Sequence, residues 1–369
     1  MSNETQPEIR FPGFTEAWEE RKLGEVVESV GTGRSTFTNG IVQTSETPYA
    51  VLGSTSVISY DSMFDHSGDF ILTARVGANA GNLYKYFGEV KISDNTVYIQ
   101  ANNLDFIYYL LTKYDLKRLS FGTGQPLVKA SEVKNLKLNF PQKNEEQQKI
   151  GSFFKQLDDT IALHQRKLDL LKETKKGFLQ KMFPKNGAKV PEIRFPGFTE
   201  NWEEKKFKEV INSGIKGKAK AEMSGTKSLY LDTNYLNGGV VTYVDSPRDV
   251  ENDDVLILWD GSQAGTVYYG FSGALGSTLK AYRAKESGAF LYQQLKRNQQ
   301  IIYDRYRTPN IPHVVKTFTD EFMVSMPSSE EQFKIGTFFK QLDDTIALHQ
   351  RKLDLLKETK KGFLQKMFV

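Results

Sequence analysis

The sequence predicts an α+β or α/β protein in which two pseudo-symmetric α/β domains are separated by two long helices packed as an antiparallel coiled coil. Three observations predict this fold. The chain restarts near its middle, both halves end in nearly the same heptad-patterned segment, and the middle of each half alternates strand-like and helical runs. The predicted segments are a first anchor (1–20), a first domain (21–144), a first long helix (145–184), a second anchor (185–204), a second domain (205–329) and a second long helix (330–369).

Length and composition indicate an ordinary folded protein with more than one domain. The 369 residues suffice for two or three domains, and 39% of them are hydrophobic while 25% are charged. The absence of cysteine excludes a disulfide framework and thiolate metal sites. A formal net charge of +4 permits nucleic-acid binding, but so small a charge does not by itself indicate it.

The hydropathy pattern argues against a membrane protein. No apolar run is long enough to span a bilayer, and the first residues, MSNETQPEIR, lack the apolar core of a signal peptide. We therefore expect a cytoplasmic protein without a membrane partner.

Nearly identical segments open and close the two halves. PEIRFPGFTEAW at Pro7–Trp18 returns as PEIRFPGFTENW at Pro191–Trp202, and Lys149–Phe183 returns as Lys334–Phe368 with one difference. Apolar residues recur every seven positions in the longer repeat, which predicts a coiled-coil seam, and we expect Pro184 to end the first helix. The predicted seam residues are Ile150, Phe154, Leu157, Ile161, His164, Leu168, Leu171, Phe178 and Met182, with Ile335, Phe339, Leu342, Ile346, His349, Leu353, Leu356, Phe363 and Met367 in the second helix.

Chain connectivity predicts how these helices pack. The first helix leaves the first domain and leads to the second, whereas the second helix leaves the second domain, so helices that pack together must be antiparallel. Two nearly identical antiparallel helices are related by a pseudo-twofold axis. The first anchor can then meet the C-terminal end of the chain and close a ring-like architecture.

The two domains share little sequence, although both place a helical stretch before their last strand-like run. We expect one architecture with different loops. The predicted strands are Pro48–Gly53, Phe70–Ala74, Thr96–Gln100 and Leu136–Phe140, then Val240–Val244, Val255–Trp259, Leu279–Arg283 and Phe322–Met326; the predicted helices are Asp105–Leu119 and Ala289–Tyr306.

The histidines do not form a catalytic or metal-binding constellation. His164 and His349 occupy the same seam position, while His66 and His313 are isolated in the sequence. Polar seam residues usually define the register of a coiled coil, and we prefer that interpretation to a metal or proton-transfer role.

A second possible catalytic feature is the carboxylate pair Asp158 and Asp159. We expect both side chains on the outer face of the helix, toward solvent or a partner. The sequence therefore predicts no catalytic residue and no metal site.

Basic and amide side chains in turn-rich parts of both domains are the candidates for binding nucleic acid. Such side chains hydrogen-bond to base edges and to phosphates, although any one of them can equally belong to an ordinary solvated surface. The candidates are Arg34, Arg75, Asn79 and Gln125 in the first domain, and Lys216, Lys218, Lys220, Gln263, Arg305 and Arg307 in the second.

The layout resembles the specificity subunits of type I restriction-modification enzymes, in which two dissimilar target-recognition domains are each followed by a shared helical region. The match spans nearly the whole chain. It is carried by IRFPGFTEAWEERKLGEV at Ile9–Val26, LKLNFPQKNEEQQKIGSFFKQLD at Leu136–Asp158 and VSMPSSEEQFKIGTFFKQLD at Val324–Asp343. A strand, a proline, a short polar stretch, Glu-Gln, Lys-Ile and paired aromatics follow one another in both halves.

The resemblance implies a non-catalytic, sequence-specific DNA-binding subunit. It implies that each domain reads one half of an asymmetric bipartite site in double-stranded DNA, and that the helices set the gap between the halves. It also implies two methyltransferase subunits that modify adenine N6, and restriction subunits that cut DNA. S-adenosylmethionine, ATP and magnesium are then expected on these partners, and no cofactor is expected on this chain.

Two other classes of function are compatible with the same layout. One is a structural adaptor with two ligand-binding domains on a helical spacer, which binds no DNA. The other is a self-contained nuclease or methyltransferase, which needs an active site that the residues above do not provide. A steep salt dependence of duplex binding would separate a DNA-binding subunit from an adaptor.

Overall fold

The computed structural model describes residues 6–120, 126–185 and 187–369. The chain divides into two compact units. The first unit contains the described residues up to Gln165 together with Lys352–Val369, and the second contains Arg166–Arg351. Each unit therefore consists of one anchor, one α/β domain and a part of both long helices.

The first domain and the helix that follows it contain these elements in chain order: β1 (Glu19–Lys22), α1 (Leu23–Val26), β2 (Ser29–Thr32), β3 (Tyr49–Leu52), β4 (Val57–Asp61), β5 (His66–Ala74), β6 (Leu83–Ile92), β7 (Thr96–Gln100), α2 (Leu104–Tyr114), α3 (Ala130–Lys134), β8 (Lys137–Phe140) and α4 (Asn144–Lys181).

The second domain and its helix contain β9 (Glu203–Lys206), β10 (Ile211–Lys216), β11 (Ser224–Leu231), α5 (Thr233–Leu236), β12 (Tyr243–Val244), β13 (Val255–Leu258), β14 (Val267–Tyr268), β15 (Ala274–Leu275), β16 (Leu279–Ala284), α6 (Gly288–Arg297), α7 (Gln299–Arg305), α8 (Phe318–Glu321), β17 (Met323–Met326) and α9 (Ser329–Lys366).

The sheets of the two units have the same strand order despite their different sequences. The first unit contains a six-stranded sheet of order β2-β7-β5-β6-β3-β4, in which β3 and β6 run parallel. The second unit repeats this order in two pieces, β10-β16-β13-β14 and β15-β11-β12, with β11 and β15 parallel. The long strand β6 thus corresponds to the two short strands β14 and β15. This common topology confirms the predicted α/β class.

A two-stranded ribbon joins each domain to its helix. β1 pairs antiparallel with β8, and β9 pairs antiparallel with β17. The strands β8 and β17 agree with the predicted runs, whereas β1 and β9 were not predicted. Their sequences, EERK and EEKK, have no apolar alternation, because neither strand contributes side chains to a buried face.

Several predicted helices are shorter or broken in the structure. The first long helix ends at Lys181 and not at Pro184, because Met182 and Phe183 turn into the core of the second unit. The predicted helix from Asp105 ends at Tyr114, where Asp115 adopts a left-handed conformation with φ of 62°. The helix predicted from Ala289 to Tyr306 is divided into α6 and α7. Of the strand predicted at Val240–Val244, only β12 forms.

The long helices pack antiparallel within each unit. In the first unit, Phe153 of α4 contacts Phe363 of α9 with 5.1 Å between ring centroids. In the second unit, Phe178 of α4 contacts Phe338 of α9 at the same distance, 5.1 Å. All the predicted seam residues are buried or half-buried. Those at the helix ends also belong to the domain cores: Ile150, Phe154 and Met367 in the first unit, and Met182, Ile335 and Phe339 in the second.

Each anchor is bonded to the end of a long helix. Ile9 N donates to Lys366 O at 3.0 Å in the first unit, and Ile193 N donates to Lys181 O at 2.9 Å in the second. Among the described residues, no helix combines the length and the apolar character needed to cross a bilayer.

Candidate nucleic-acid interface

Each domain presents one short glycine-bounded loop after the central strand of its sheet. The loops are GANAG at Gly77–Gly81, after β5, and GSQAG at Gly261–Gly265, after β13. All four bounding glycines have positive φ: 87° and 86° in the first loop, 115° and 96° in the second. A residue with a Cβ would be strained at these positions. The two loops therefore share a backbone conformation that only the glycines provide.

Equivalent hydrogen bonds hold the first loop and the second. Ala80 N donates to Gly77 O at 2.9 Å, and Gly77 N donates to Pro126 O at 3.0 Å. In the second unit, Ala264 N donates to Gly261 O at 2.9 Å, and Gly261 N donates to Pro312 O at 2.9 Å. The same scaffold thus carries different side chains in the two units.

Asn79 and Gln263 occupy the same position in these loops, and both are exposed. The Asn79 amide oxygen accepts a hydrogen bond from Asn82 Nδ2 at 3.1 Å. Amide side chains of this kind can form paired hydrogen bonds with the edge of adenine. The structure therefore brings one predicted amide of each domain to an equivalent, accessible place.

A second basic segment follows the first strand of each sheet. A Cβ on Gly33 would lie 2.2 Å from Ile92 O, and one on Gly217 would lie 1.9 Å from Gly276 O. Any residue other than glycine would therefore clash with a backbone oxygen at these two positions. Arg34 and Lys218 follow these glycines directly and are exposed. Two predicted residues with unrelated flanking sequences thus occupy one structural position.

In the first unit, the turn between β6 and β7 brings Arg34 and Arg75 to one end of the sheet. Gly33 N donates to Thr96 O at 3.0 Å, and Arg75 N donates to Asn95 O at 2.9 Å. Both backbone segments therefore bind the same turn. Gln125, the remaining candidate of this domain, lies outside the described residues.

The second unit has a group of lysines at the corresponding sheet end. Lys216 and Lys280 are directly opposite each other on β10 and β16. Burial lowers the pKa of Lys280, and the positive charges of Lys216 and Lys316 lower it further, while Asp260 acts in the opposite direction. Lys280 and Lys316 were not predicted. Lys280 lies within a strand-like run that indicated core, and no local signal distinguishes Lys316.

Arg307 lies against the second loop. Its guanidinium stands over the Tyr303 ring, 5.2 Å from the centroid, and its Nη1 donates to Ser262 O at 3.2 Å. The Tyr303 hydroxyl shares a hydrogen bond with Thr266 Oγ1 at 2.7 Å. Arg307 is thus held against the loop that carries Gln263.

Two further candidates of the second domain, Lys220 and Arg305, have no such bond to that loop among the described residues. Both side chains are exposed. Trp259, at the end of a predicted strand, is 5% exposed and belongs to the core of the unit.

A polar cleft of about 680 Å³ opens beside the second loop. Gln263 and Asp260 line it together with Asn234 and Asn237, two amides that the sequence did not single out. These asparagines belong to α5 and the residue after it, far from the loop in sequence. Only the folding of that segment against the sheet reveals them as candidates.

The placement predicted for Asp158 was wrong. Its Oδ2 accepts a hydrogen bond from the Tyr109 hydroxyl at 2.7 Å, and its Oδ1 lies 2.6 Å from Lys360 Nζ. The side chain is half-buried because α2 and α9 both pack beside it, whereas Asp159 is exposed as predicted. In the second unit, Asp343 likewise pairs with a lysine, Lys175 at 2.6 Å, but its Oδ2 accepts from Gln293 Nε2 at 3.0 Å and not from a tyrosine.

The two histidines outside the seam have ordinary polar partners. His66 Nδ1 lies 2.5 Å from Asp65 Oδ1, and His313 Nδ1 lies 3.0 Å from Thr308 Oγ1. Within the described ranges, no group of three or more histidine, aspartate or glutamate side chains could hold a metal ion.

Comparison with known proteins identifies the family. A family model described as Type I restriction modification DNA specificity domain matches residues 15–173 and again residues 199–358. The Type I restriction enzyme MjaVIII specificity subunit of Methanocaldococcus jannaschii is 30% identical over 195 residues, which cover 50% of this chain and 44% of that protein. A putative type I specificity subunit of Mycoplasma genitalium is 22% identical over 302 residues, covering 76% of this chain and 78% of the relative.

A solved structure supports the same fold. The Type-I restriction-modification system S subunit from M. genitalium superposes with a TM-score of 0.75 at 18% identity, and the match covers 99% of both chains. Against the M. jannaschii relative, by contrast, the matched region spans less than half of that protein's length. Because the family model matches both halves and most of the chain, this protein belongs to the type I restriction-modification DNA specificity family, with one specificity domain in each half.

Proposed function

We propose that this chain is the non-catalytic DNA-recognition subunit of a type I restriction-modification complex, and that each unit reads one half of an asymmetric bipartite site. The observation that carries this proposal is the pair of glycine-bounded loops. Their backbones are equivalent, yet they expose Asn79 in one unit and Gln263 in the other. One scaffold with different side chains at one position is suited to reading two different base sequences.

The charges around these loops support binding to double-stranded DNA. Arg34 and Arg75 flank the first loop through a shared turn, and Lys216, Lys280 and Lys316 form the corresponding group in the second unit. Cations of this kind bind phosphates without regard to sequence, while amides nearby can read base edges. The chain thus has separate groups for affinity and for specificity.

We also propose two methyltransferase partners of one kind, bound by equivalent surfaces of the two halves. Both long helices expose the same leucines: Leu163 and Leu348 are 58% and 62% exposed, and Leu170 and Leu355 are 68% and 67% exposed. Large apolar side chains that are exposed together often mark protein interfaces. A partner that binds one such surface has an equivalent surface to bind on the other helix.

The catalytic chemistry then belongs to the partners. Methyltransferase subunits would use S-adenosylmethionine to modify adenine N6, and restriction subunits would use ATP and magnesium to cut. This chain would supply recognition alone, in keeping with its family.

Mapping of methylated adenines tests the recognition proposal. DNA modified in cells by the complex should carry N6-methyladenine in two different short sequences separated by a constant gap. A single half-site, or two identical half-sites, would contradict independent reading by two units.

Two solution experiments test the partners and the DNA. Native mass spectrometry of the co-expressed complex should give two methyltransferase subunits per chain, and a saturated ratio of one would refute the proposed stoichiometry. Duplex binding should weaken steeply with salt, because phosphate contacts release counterions. The absence of duplex binding would favour an adaptor function.

A further inference from the structure

Two lysines of the second unit are placed where a sheet would be more stable without one of them. Lys216 and Lys280 are cross-strand partners in the antiparallel pair of β10 and β16. Like charges directly opposite each other on neighbouring strands are destabilising. Lys316 adds a third positive charge close enough to lower the pKa of Lys280. The carboxylate of Asp260 offsets part of this charge, but three lysines against one carboxylate leave a net positive site, which is suited to binding an anion.

Trp259 positions the ammonium group of Lys280. Lys280 Nζ lies 3.3 Å from the centroid of the Trp259 ring, a cation–π contact. Trp259 is 5% exposed and is held in the core, so it provides a rigid support. Because Trp259 is two residues before Gly261, the ammonium group lies at the start of the glycine-bounded loop.

In the first unit, Arg75 occupies the position of Trp259. Arg75 O accepts from Val128 N at 2.8 Å, as Trp259 O accepts from Val314 N at 2.9 Å. The strand pair equivalent to Lys216 and Lys280 is Thr32 opposite Val97, which carries no charge. In the first unit, the cation is therefore Arg75, which directly follows β5, the strand that leads into the loop.

In the second unit, the cation is Lys280 on β16, the strand that pairs with β13. The two units thus each place a positive charge beside the start of the loop, with residues that do not correspond in sequence: Lys280 over Trp259, and Arg75, whose Nη1 donates to Asp94 O at 3.5 Å. Common ancestry alone does not explain this likeness, because Arg75 corresponds to Trp259 and Lys280 corresponds to Val97. A shared requirement for a cation at the start of the loop explains it.

We propose that Arg75 and Lys280 are equivalent phosphate-binding residues, which hold the loop of each unit in register on the DNA backbone. This proposal rests on the proposed DNA-recognition function and deepens it. A contact to phosphate is independent of base sequence, so both units can share it while Asn79 and Gln263 read different bases. Lys216 and Lys316 extend the positive surface along which successive phosphates can lie.

The test uses the full chain in complex with its co-expressed methyltransferase and a fluorescent duplex of random sequence. Binding is measured by anisotropy over a range of salt concentrations. Lys280→Gln and Arg75→Gln should each weaken binding by about tenfold and reduce the slope of log K against log salt by about 0.9, the value for one lost phosphate contact. Lys280→Arg should retain most of the affinity, because a guanidinium can also stand over Trp259.

Lys285→Gln is the matched control. Lys285 is exposed and directly follows the end of β16 that is remote from the loop. Lys285→Gln therefore removes the same charge at a position away from the loop. Its salt slope should equal that of the wild type. If Lys280→Gln changes the slope no more than Lys285→Gln does, the phosphate role is wrong although the proposed function stands.

A stability measurement excludes a merely structural explanation. In the absence of DNA, Lys280→Gln should melt close to the wild type, because the loss of the cation–π contact with Trp259 opposes the relief of the repulsion from Lys216. Lys216→Gln, at an exposed position, provides a second variant should the first fold poorly. A lower melting temperature together with an unchanged slope would overturn the inference. Failure of the wild-type complex to bind any duplex would instead refute the proposed function.

Discussion

Lys360 Nζ lies 2.6 Å from Asp158 Oδ1 in the first unit, and the equivalent pair, Lys175 and Asp343, is 2.6 Å apart in the second. Because the two helices repeat one sequence, the same ion pair forms twice between opposite parts of the repeat. Parallel packing in register would instead place Asp158 beside Asp343, and like charges repel. The repeated ion pair therefore favours the antiparallel arrangement.

The Asp158–Lys360 pair is expected to stabilise the first unit modestly. In a double-mutant cycle with Asp158→Asn and Lys360→Gln, the coupling energy should be about 1 kcal/mol, because both side chains are partly exposed. Chemical denaturation of the full chain measures it. The exposed pair Lys340–Asp344, at i and i+4, is the control and should give about 0.3 kcal/mol. Equal coupling in both cycles would contradict a role in helix orientation.

Arg194 should contribute more to stability than any exposed ion pair. It donates two hydrogen bonds to Glu331, from Nε at 2.7 Å and from Nη2 at 2.7 Å, and the Glu331 side chain is 0% exposed. Arg194→Met leaves a buried carboxylate without its partner, which should lower the free energy of unfolding by about 3 kcal/mol.

The first unit and an exposed pair supply the comparisons for that variant. Arg10→Met should destabilise similarly, because Arg10 binds the buried Glu146 in the same bidentate way. Lys208→Met, which breaks an exposed pair with Asp320, should change the free energy of unfolding far less than either of these variants, because water screens an exposed pair. If all three variants behaved alike, the buried pairs would have no special importance.

Stability should fall at alkaline pH. Burial raises the pKa of Tyr84 and of Tyr282 above the ordinary value of 10.0. In the unfolded chain these tyrosines lose their protons near pH 10, while in the folded chain they keep them. Ionisation therefore favours unfolding, so stability is fully present below about pH 9 and is lost as the pH rises beyond 10.

Denaturation at several pH values between about 8 and 11 measures this dependence. Tyr282→Phe should make the loss above pH 10 shallower, because one buried ionisable hydroxyl is removed. Tyr243→Phe is the control, since Tyr243 is 50% exposed and this variant removes a hydroxyl from the surface and not from the core. An identical slope in wild type and Tyr282→Phe would show that this tyrosine is not responsible.

Exchange of one domain should change one half of the recognised sequence. Replacing residues 21–140 with the corresponding segment of another specificity subunit preserves the anchors and both long helices. The sequence around one methylated adenine should then change, while the other half-site stays the same. Sequencing of methylated DNA from cells with the hybrid complex measures both. A simultaneous change in both half-sites would contradict two independent readers.

The repeated segments were sufficient to predict much of the architecture. The heptads of Lys149–Phe183 and Lys334–Phe368 identify two long helices, and the position of the domains between them requires antiparallel packing. These features follow from sequence because apolar periodicity along a helix reports which of its faces is buried.

Other features were decided by tertiary structure alone. The two domains share a strand order that their sequences conceal, since strand pairing depends on backbone hydrogen bonds and tolerates different side chains. Asp158 lies on what periodicity indicates as the outer face of its helix, yet α2 and α9 cover it. Lys280 meets Lys216 and Trp259 only through the register of β16 with its neighbours. Local patterns describe each element by itself, whereas these contacts join residues distant in the chain, and only the folded arrangement determines them.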